Sequence, residues 1–236
     1  MSVIDYNEGW MQWGDMIKYS PAPFHRRRLI LKLADEISFN SVLDVGCGNG
    51  ELLLALSQSK HVLRLAGADI AEHVLSWNRT AFPAFVFHQL DISAAWLPEQ
   101  FDLVVCSEVI EHISDWQQAL RHLRKMTGRH LILTVPSGKV FPIDRRMGHY
   151  RHFAPDELCQ GLRQTGFEPE RVWRWGFPFH RLYKHLINLS PETSIKRFST
   201  AAYTTTDRVI AKFITCLFYL NLYHLGTQLV VRARVA

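Results

Sequence analysis

Short apolar runs alternate with amphipathic stretches over most of the chain. The apolar and β-branched runs predict five buried strands, at 41–45, 63–68, 84–89, 101–106 and 130–135. Between them, apolar residues recur at helical spacing, as in the segments 50–59, 72–80 and 116–126. Buried strands that alternate with helices predict a parallel sheet with helices on both faces. We therefore expect an α/β fold.

The carboxyl-terminal third departs from this alternation. Apolar spacing predicts a helix over 156–165, a strand over 171–176 and a last strand over 228–233. The aromatic and apolar segment 177–225 predicts a helical insert before the last strand. Residues 213–231 carry no formal charge, but polar residues interrupt them, so we expect a buried or interfacial helix there and not a membrane span.

The amino-terminal segment 1–39 combines aromatic residues with an amphipathic helix over 24–37, and we expect a helical flap. A chain of 236 residues, 47% hydrophobic and 21% charged, suits a single domain over 1–236. The four cysteines are far apart in the sequence, and no signal peptide is recognised, which predicts reduced thiols in a cytoplasmic protein.

The first predicted strand ends in a glycine-rich turn, D-V-G-C-G-N-G at 44–50. A strand, a glycine turn and a helix place a ligand at the carboxyl end of a parallel sheet, because glycine lets the backbone approach it closely. The spacing differs from the G-x-G-x-x-G turn that holds a pyrophosphate. Asp44 would repel a pyrophosphate and suits a cationic or hydrogen-bond-donating group, which argues against a nicotinamide-dependent oxidoreductase.

Asp69 ends the second predicted strand, 21 residues after Gly48. An acid about 20 residues beyond the glycine turn can accept hydrogen bonds from both hydroxyls of a ribose. The alternative is that Asp69 caps the following helix, and one carboxylate could serve both purposes. The agreement of this spacing with the glycine turn is a stronger signal than either feature alone.

The run at 44–50 resembles motif I of the class I S-adenosylmethionine (SAM) dependent methyltransferases. The resemblance extends over about residues 40–176. It implies a Rossmann-like, doubly wound sheet, mainly parallel with an antiparallel last strand, and SAM as the cofactor. In that family an acid after the third strand binds the adenine amino group and the next residue packs on the ring. The positions implied around SAM are Asp44, Gly46, Cys47, Gly48, Asp69, Ile70, Asp91, Ile92 and Ser107.

Methyl transfer requires proximity, an in-line approach and a deprotonated acceptor. A loop after the fifth strand contains two histidines, His149 and His152, which titrate near neutral pH and are candidate general bases. Tyr150 and Glu108 are further catalytic candidates. The alternative is that both histidines are structural and bind the loop to the sheet.

The segment Glu108-x-x-Glu111-His112 is a second candidate for chemistry. In the first turn of a helix these positions would share one face, and two carboxylates with an imidazole suit a divalent cation. The segment resembles the metal-binding segments of ubiquinone-pathway O-methyltransferases and of small-RNA terminal 2′-O-methyltransferases, in which a later histidine completes the site. Here His149 or His152 could be that ligand. In metal-free relatives the same glutamate faces solvent or caps a helix; between base and metal, we expect the base.

These features predict an enzyme that O-methylates a small or amphiphilic acceptor in biosynthesis, such as a lipid, a quinol or a glycoside. The net charge of +5 permits peripheral contact with a membrane surface. No RNA-binding appendage is recognised, so nucleic acid is not an expected partner. An RNA or metal-dependent 2′-O-type methyltransferase and a non-catalytic SAM-binding domain remain the alternatives. The sequence sets neither the acceptor nor the oligomeric state.

Overall fold

The computed structural model describes residues 18–59, 62–198 and 203–236. Their elements in chain order are α1 Pro21–Ala34, β1 Ser41–Val45, α2 Glu51–Ser59, β2 Arg64–Asp69, α3 Glu72–Ala81, β3 Val86–Gln89, β4 Phe101–Ser107, a 3₁₀ turn Ile110–His112, α4 Trp116–Met126, β5 Thr127–Pro136, α5 Pro142–Arg146, α6 Pro155–Gln164, β6 Phe167–Phe177, α7 Phe179–Ile187, α8 Pro191–Phe198, α9 Thr205–Phe218 and β7 Leu222–Val235.

Seven strands form one sheet in the order β3-β2-β1-β4-β5-β7-β6. The pairs from β3 to β5 are parallel, and β7 runs antiparallel to both β5 and β6. The predicted Rossmann-like sheet, mainly parallel with an antiparallel last strand, is thereby confirmed. The strand order reverses between β1 and β4, and ligands of such sheets bind at the carboxyl ends of the strands near that point.

Both faces of the sheet are covered. Alternate side chains of a strand point to opposite faces, so Val42 joins one hydrophobic cluster while Leu43 and Val45 join the other. The first cluster includes Leu29 and Leu33 of α1. Strands that are buried on both faces need apolar residues at consecutive positions, which explains the unbroken apolar runs in the sequence.

Strands β5, β6 and β7 are much longer than the sequence predicted. β5 begins at Thr127, β6 at Phe167 and β7 at Leu222. The expected helical character of the insert up to residue 225 is therefore wrong after α9 ends at Phe218. The uncharged run continues as strand because β7 pairs with the whole of β6, from Phe177 opposite Leu222 onward. Apolar periodicity does not distinguish a buried strand from a buried helix in such a run.

The expected amino-terminal flap is only partly described, since residues 1–17 lie outside the described ranges. Helix α1 buries Leu29, Ile30 and Leu33 in the core and is anchored at its first turn, where His25 Nε2 lies 2.9 Å from the carbonyl oxygen of Thr215 in α9. Within the described part of the chain, no helix combines the length and apolar character needed to cross a bilayer.

The contact between α6 and α4 gives a test of the packing. A Cβ on Gly161 would overlap the buried Trp116 ring, which packs edge-on against Phe153 with ring centroids 5.1 Å apart. In an open helix, glycine to alanine stabilises by about 1 kcal/mol. We expect Gly161→Ala instead to lower the free energy of unfolding by about 1–2 kcal/mol, because overpacking outweighs that gain.

Urea unfolding measures this effect, and the double variant provides the control. In a Trp116→Leu background the bulky ring is gone, so Gly161→Ala should be neutral or stabilising. Equal or greater stability of Gly161→Ala in the natural background would contradict the packing described here.

Candidate functional site

The glycine turn after β1 is held against the end of β2. The amide groups of Gly46 and Cys47 both donate to the carbonyl oxygen of Ala68, at 2.7 and 3.1 Å. Gly46 has a φ of 75°, and a Cβ at this position would overlap the side chain of Val109. Glycine is therefore required for both backbone conformation and space.

Asp69 joins the glycine turn to the start of α3. One carboxylate oxygen accepts from the amide of Gly48 at 2.9 Å and the other from the amide of Ala71 at 3.0 Å. Ala71 itself is the N-cap residue of α3, so Asp69 precedes the cap and does not occupy it. Asn78 of α3 donates to the carbonyl oxygen of Gly48 at 2.6 Å and fixes the turn from the other side.

Asp44 lies buried beside Asp69. Burial, together with the nearby charge of Asp69, raises the pKa of Asp44 to about 7. Burial also raises the pKa of Asp69, against the effect of its amide donors. Two adjacent carboxyl groups that ionise with difficulty form a site for a cation or for hydrogen-bond donors.

The other positions predicted around a cofactor differ in exposure. Ile70 is exposed after β2, whereas Cys47 and Ile92 are buried in the two hydrophobic clusters. Asp91 is exposed, and its Oδ1 accepts from the amide and the hydroxyl of Ser93 at 2.9 and 2.6 Å. These residues all follow the carboxyl ends of β1, β2 and β3, so they share one edge of the sheet.

Glu108 follows β4 in a strained backbone conformation. Its φ of 57° is the one positive value among the described residues other than glycine. Its Oε1 accepts from Gln228 at 2.6 Å and from Thr134 at 3.0 Å, and its Oε2 lies 3.7 Å from the Arg26 guanidinium. Ser107 also contacts Thr134, with the hydroxyl oxygens 2.8 Å apart. Three contacts, one each from α1, β5 and β7, hold this strained residue, which is typical of a functional position.

The helical turn expected from Glu108 to His112 is not present. Glu108 lies before the turn, and Ile110–His112 is a single 3₁₀ turn. The i, i+3, i+4 face therefore does not form, and Glu108 is not among the residues whose ligand atoms converge. The ligand atoms that do converge belong to Glu111, His112 and His149, all within 4.8 Å of one another.

The carboxylate of Glu111 is fully buried, so the solvent-facing alternative is wrong. Neither carboxylate oxygen has a hydrogen-bond partner among the described residues. Burial, together with the charge of Glu108, raises the pKa of Glu111 well above its usual value. A buried carboxyl group without partners is costly, and a bound cation would remove that cost.

The histidines beside Glu111 are packed against each other. The rings of His112 and His149 meet edge-on with centroids 4.6 Å apart. Burial, followed by the nearby His112 and His152, lowers the pKa of His149 to about 2, so its ring is neutral at pH 7. Neutral imidazole is the form that binds metals, and one carboxylate with two imidazoles suits a divalent cation.

His152 continues the group on its other side. Its Nε2 lies 3.2 Å from His149 Nδ1 and 3.3 Å from Asp144 Oδ2, and these three residues form a second convergent set. Asp144 is also 3.4 Å from Lys184 Nζ. Tyr150 has an exposed ring, while its amide donates to the carbonyl oxygen of Glu111 at 2.9 Å. The loop after β5 is thus fixed to the turn after β4.

Several residues of this site gave no signal in the sequence. Asp144, Lys184, Thr134, Gln228 and Arg26 belong to no short motif, and each reaches the site through long-range contacts. Gln228 is the most informative of them, because a buried polar side chain in an apolar strand requires a partner.

The chain is similar to known methyltransferases. A family model described as "Methyltransferase domain" matches residues 22–198. Ubiquinone biosynthesis O-methyltransferases of Bordetella avium and Bordetella parapertussis are 29% and 30% identical to the chain; the matches cover 72% and 70% of the chain and 78% and 76% of the relatives.

Two solved structures share the fold. An N-methyltransferase of Bradyrhizobium japonicum in complex with S-adenosyl-L-homocysteine matches with a TM-score of 0.60 at 16% identity, over 93% of this chain and 90% of that one. The magnesium protoporphyrin IX methyltransferase of Synechocystis with bound S-adenosyl-L-homocysteine matches with a TM-score of 0.55 at 15% identity, over 100% and 90% of the two chains.

Because the pKa of Asp44 is raised, replacing its carboxyl group should increase the free energy of unfolding, and the increase should depend on pH. Ionisation of Asp44 opposes folding, and the loss grows as pH rises from the unfolded pKa near 4 to the folded value of about 7. Asp44→Asn should therefore be more stable than the natural protein without ligand. The difference should widen by about 2 kcal/mol between pH 5 and pH 8, measured by urea unfolding.

Asp102 provides a control of opposite sign. The amide of Asn40 holds the pKa of this carboxyl below its usual value, so it contributes stability that is lost as pH falls. Asp102→Asn should destabilise at pH 8 and less so at low pH. A stability difference for Asp44→Asn that is constant with pH would contradict the assignment.

Proposed function

This chain belongs to the class I SAM-dependent methyltransferase family, and we propose that it transfers the methyl group of SAM to a hydroxyl oxygen of a small, amphiphilic phenol- or quinol-type acceptor. The observation that carries the acceptor side is the group formed by buried Glu111 with half-buried His112 and His149 at the carboxyl edge of the sheet. The relatives named for ubiquinone biosynthesis support an oxygen acceptor attached to an apolar body.

SAM is the cofactor of this enzyme. We assign its contacts to the residues that follow the carboxyl ends of β1 to β4. In this proposal the backbone of Gly46, Cys47 and Gly48 passes beneath the aminoacyl end, and ionised Asp44 faces its ammonium group. Asp69 accepts from the ribose hydroxyls, and Ile70 packs against the adenine. Further contacts are proposed for Asp91 with the adenine amino group, Ile92 with the ring and Ser107 near the sulfur.

The reaction places few demands on the protein beyond orientation and charge. The acceptor oxygen forms a bond to the methyl carbon, the carbon–sulfur bond breaks and releases S-adenosylhomocysteine, and the hydroxyl proton passes to a base of the protein or to water. We expected a histidine base for that proton, but burial lowers the pKa of both His149 and His152, which makes each ring a weak proton acceptor.

We therefore favour a divalent cation at Glu111, His112 and His149. Their donor atoms converge, and the partnerless carboxylate of Glu111 gives a reason for a positive charge there. When bound, such a cation orients an acceptor hydroxyl and lowers its pKa. His152 positions the ring of His149, and Glu108, held by Gln228, borders the same space.

The insert over 177–225 is proposed as the cover of the acceptor side. Helix α1 of the amino-terminal flap reaches the same side, because Arg26 lies 3.7 Å from Glu108 and His25 lies 2.9 Å from Thr215 of the insert. The insert exposes large apolar side chains on α7 and α9, among them Leu182, Leu186, Val209 and Phe213. Such a surface suits an acceptor with an apolar tail and peripheral contact with the membrane that contains it.

A methyl-transfer screen tests the acceptor class. We expect label from methyl-labelled SAM to appear on the oxygen of a quinol or phenol, identified by mass spectrometry among pools of quinols, lipids, glycosides and RNA. Transfer only to amines or to protein would contradict the proposal. Transfer to RNA 2′-hydroxyls alone would favour the RNA methyltransferase.

Chelation tests the cation. EDTA should abolish turnover, Mg²⁺ or Mn²⁺ should restore it, and Glu111→Gln should lower kcat by roughly 10²-fold or more, because the cation supplies several kcal/mol. Glu157→Gln, in an exposed ion pair with Arg151, is the matched control and should keep full activity. Turnover that survives EDTA but is lost in His152→Ala would contradict the cation and indicate that a histidine removes the hydroxyl proton.

A further inference from the structure

A cavity of about 290 Å³ opens at the same edge of the sheet, beyond β5. The loop after β5, the end of β6, helix α7 and the start of β7 form its walls. Its principal side chains are Lys139, Phe141, Arg174, Phe177, Arg181 and His185. None of the residues assigned to the SAM contacts lines it.

The wall of the cavity is mostly apolar, and the charged residues that border it are all basic. Lys139, Arg174 and Arg181 lie on its wall, and no carboxylate is among the residues that line it. In the described ranges none of these three cations forms an ion pair, whereas Arg27, Arg151 and many other arginines of the protein do. Three exposed cations without ion-pair partners among the described residues, placed around one concave apolar wall, create a positive potential that attracts an anion.

One of the cations is held in place by the backbone. Arg174 Nε donates to the carbonyl oxygen of Gly226 at 3.0 Å, which orients its guanidinium. Arginine presents a planar fork of donors that matches a carboxylate or a phosphate. The aromatic walls, where Phe141 and His185 meet with centroids 5.0 Å apart, suit an apolar body attached to that oxyanion.

Two chains of contacts link the wall of the cavity to the proposed acceptor site. The amide of Phe141, on its wall, donates to Asp144 at 2.9 Å, and Asp144 contacts His152 at 3.3 Å. On the other side, Thr227 lines the cavity, and the next residue, Gln228, donates to Glu108. One molecule could therefore occupy the cavity with one end and reach the Glu111, His112 and His149 group with the other.

We propose that this cavity binds an oxyanion, a carboxylate or a phosphate, carried by the methyl acceptor. The inference rests on the proposed function for the identity of the ligand as acceptor, while the anion site itself rests on the cavity. It selects acceptors by charge: Arg181 and Lys139 bind the oxyanion, Arg174 orients it, and the aromatic walls contact the body that carries it.

Binding is tested first, without turnover. Protein saturated with S-adenosylhomocysteine is titrated with benzoate and with phenyl phosphate, followed by NMR, and the tighter ligand identifies the oxyanion. Arg181→Gln and Lys139→Gln should each weaken binding of that ligand about tenfold or more. Arg163→Gln, an exposed arginine of α6 paired with Glu168, is the matched control and should bind as the natural protein does. Equal affinity in all four proteins, or no binding at all, overturns the anion site.

Selectivity is tested second, with 3,4-dihydroxybenzoate and catechol as methyl acceptors that differ only in the carboxylate. The ratio of their kcat/KM values should favour the carboxylate about tenfold in the natural protein and in Arg163→Gln, and should fall towards 1 in Arg181→Gln. Equal kcat/KM for both acceptors in the natural protein overturns the inference and leaves the proposed function intact. Methylation of neither acceptor, with binding that still depends on Arg181, overturns the proposed function and leaves the anion site intact.

Discussion

Two carboxyl groups buried side by side, Asp44 and Asp69, are the constraint on which the rest of the site depends. Asp69 uses both of its oxygens to hold the glycine turn and the start of α3. Asp44 is buried beside it with a pKa raised to about 7, so the free protein carries an electrostatic cost at neutral pH. In the proposed function, the ammonium group and the ribose hydroxyls of SAM interact with these two carboxyl groups and offset that cost.

The acceptor side is likewise built around a buried carboxyl group. Glu111 is buried without partners among the described residues, close to His112 and His149. The strained backbone at Glu108 is held by contacts from α1, β5 and β7. These contacts fix the turn that precedes Glu111. The cofactor side and the acceptor side both lie where the strand order reverses between β1 and β4, so fold and electrostatics select the same crevice.

The sequence predicted what is local and periodic. The buried strands, the glycine turn and the spacing from Gly48 to Asp69 follow from short-range patterns, and the sheet confirms the fold class. Other features depend on distant partners. The start of β7 at Leu222 is set by pairing with β6, and the 3₁₀ turn replaces a helix because Glu108 adopts a positive φ that no local pattern indicates. The contacts of Asp144 with His152 and of Gln228 with Glu108 span loops and strands that periodicity does not bring together.

Calorimetry of S-adenosylhomocysteine binding at pH 7, in two buffers of different ionisation enthalpy, tests the central claim most directly. With a pKa of about 7 in the free protein, Asp44 is about half protonated at this pH. The ammonium group of the ligand favours the ionised form, so the account predicts that binding releases a fraction of a proton, and that Asp44→Asn binds more weakly without this release. Binding with no proton release in the natural protein, or binding of NAD in place of S-adenosylhomocysteine, would contradict it.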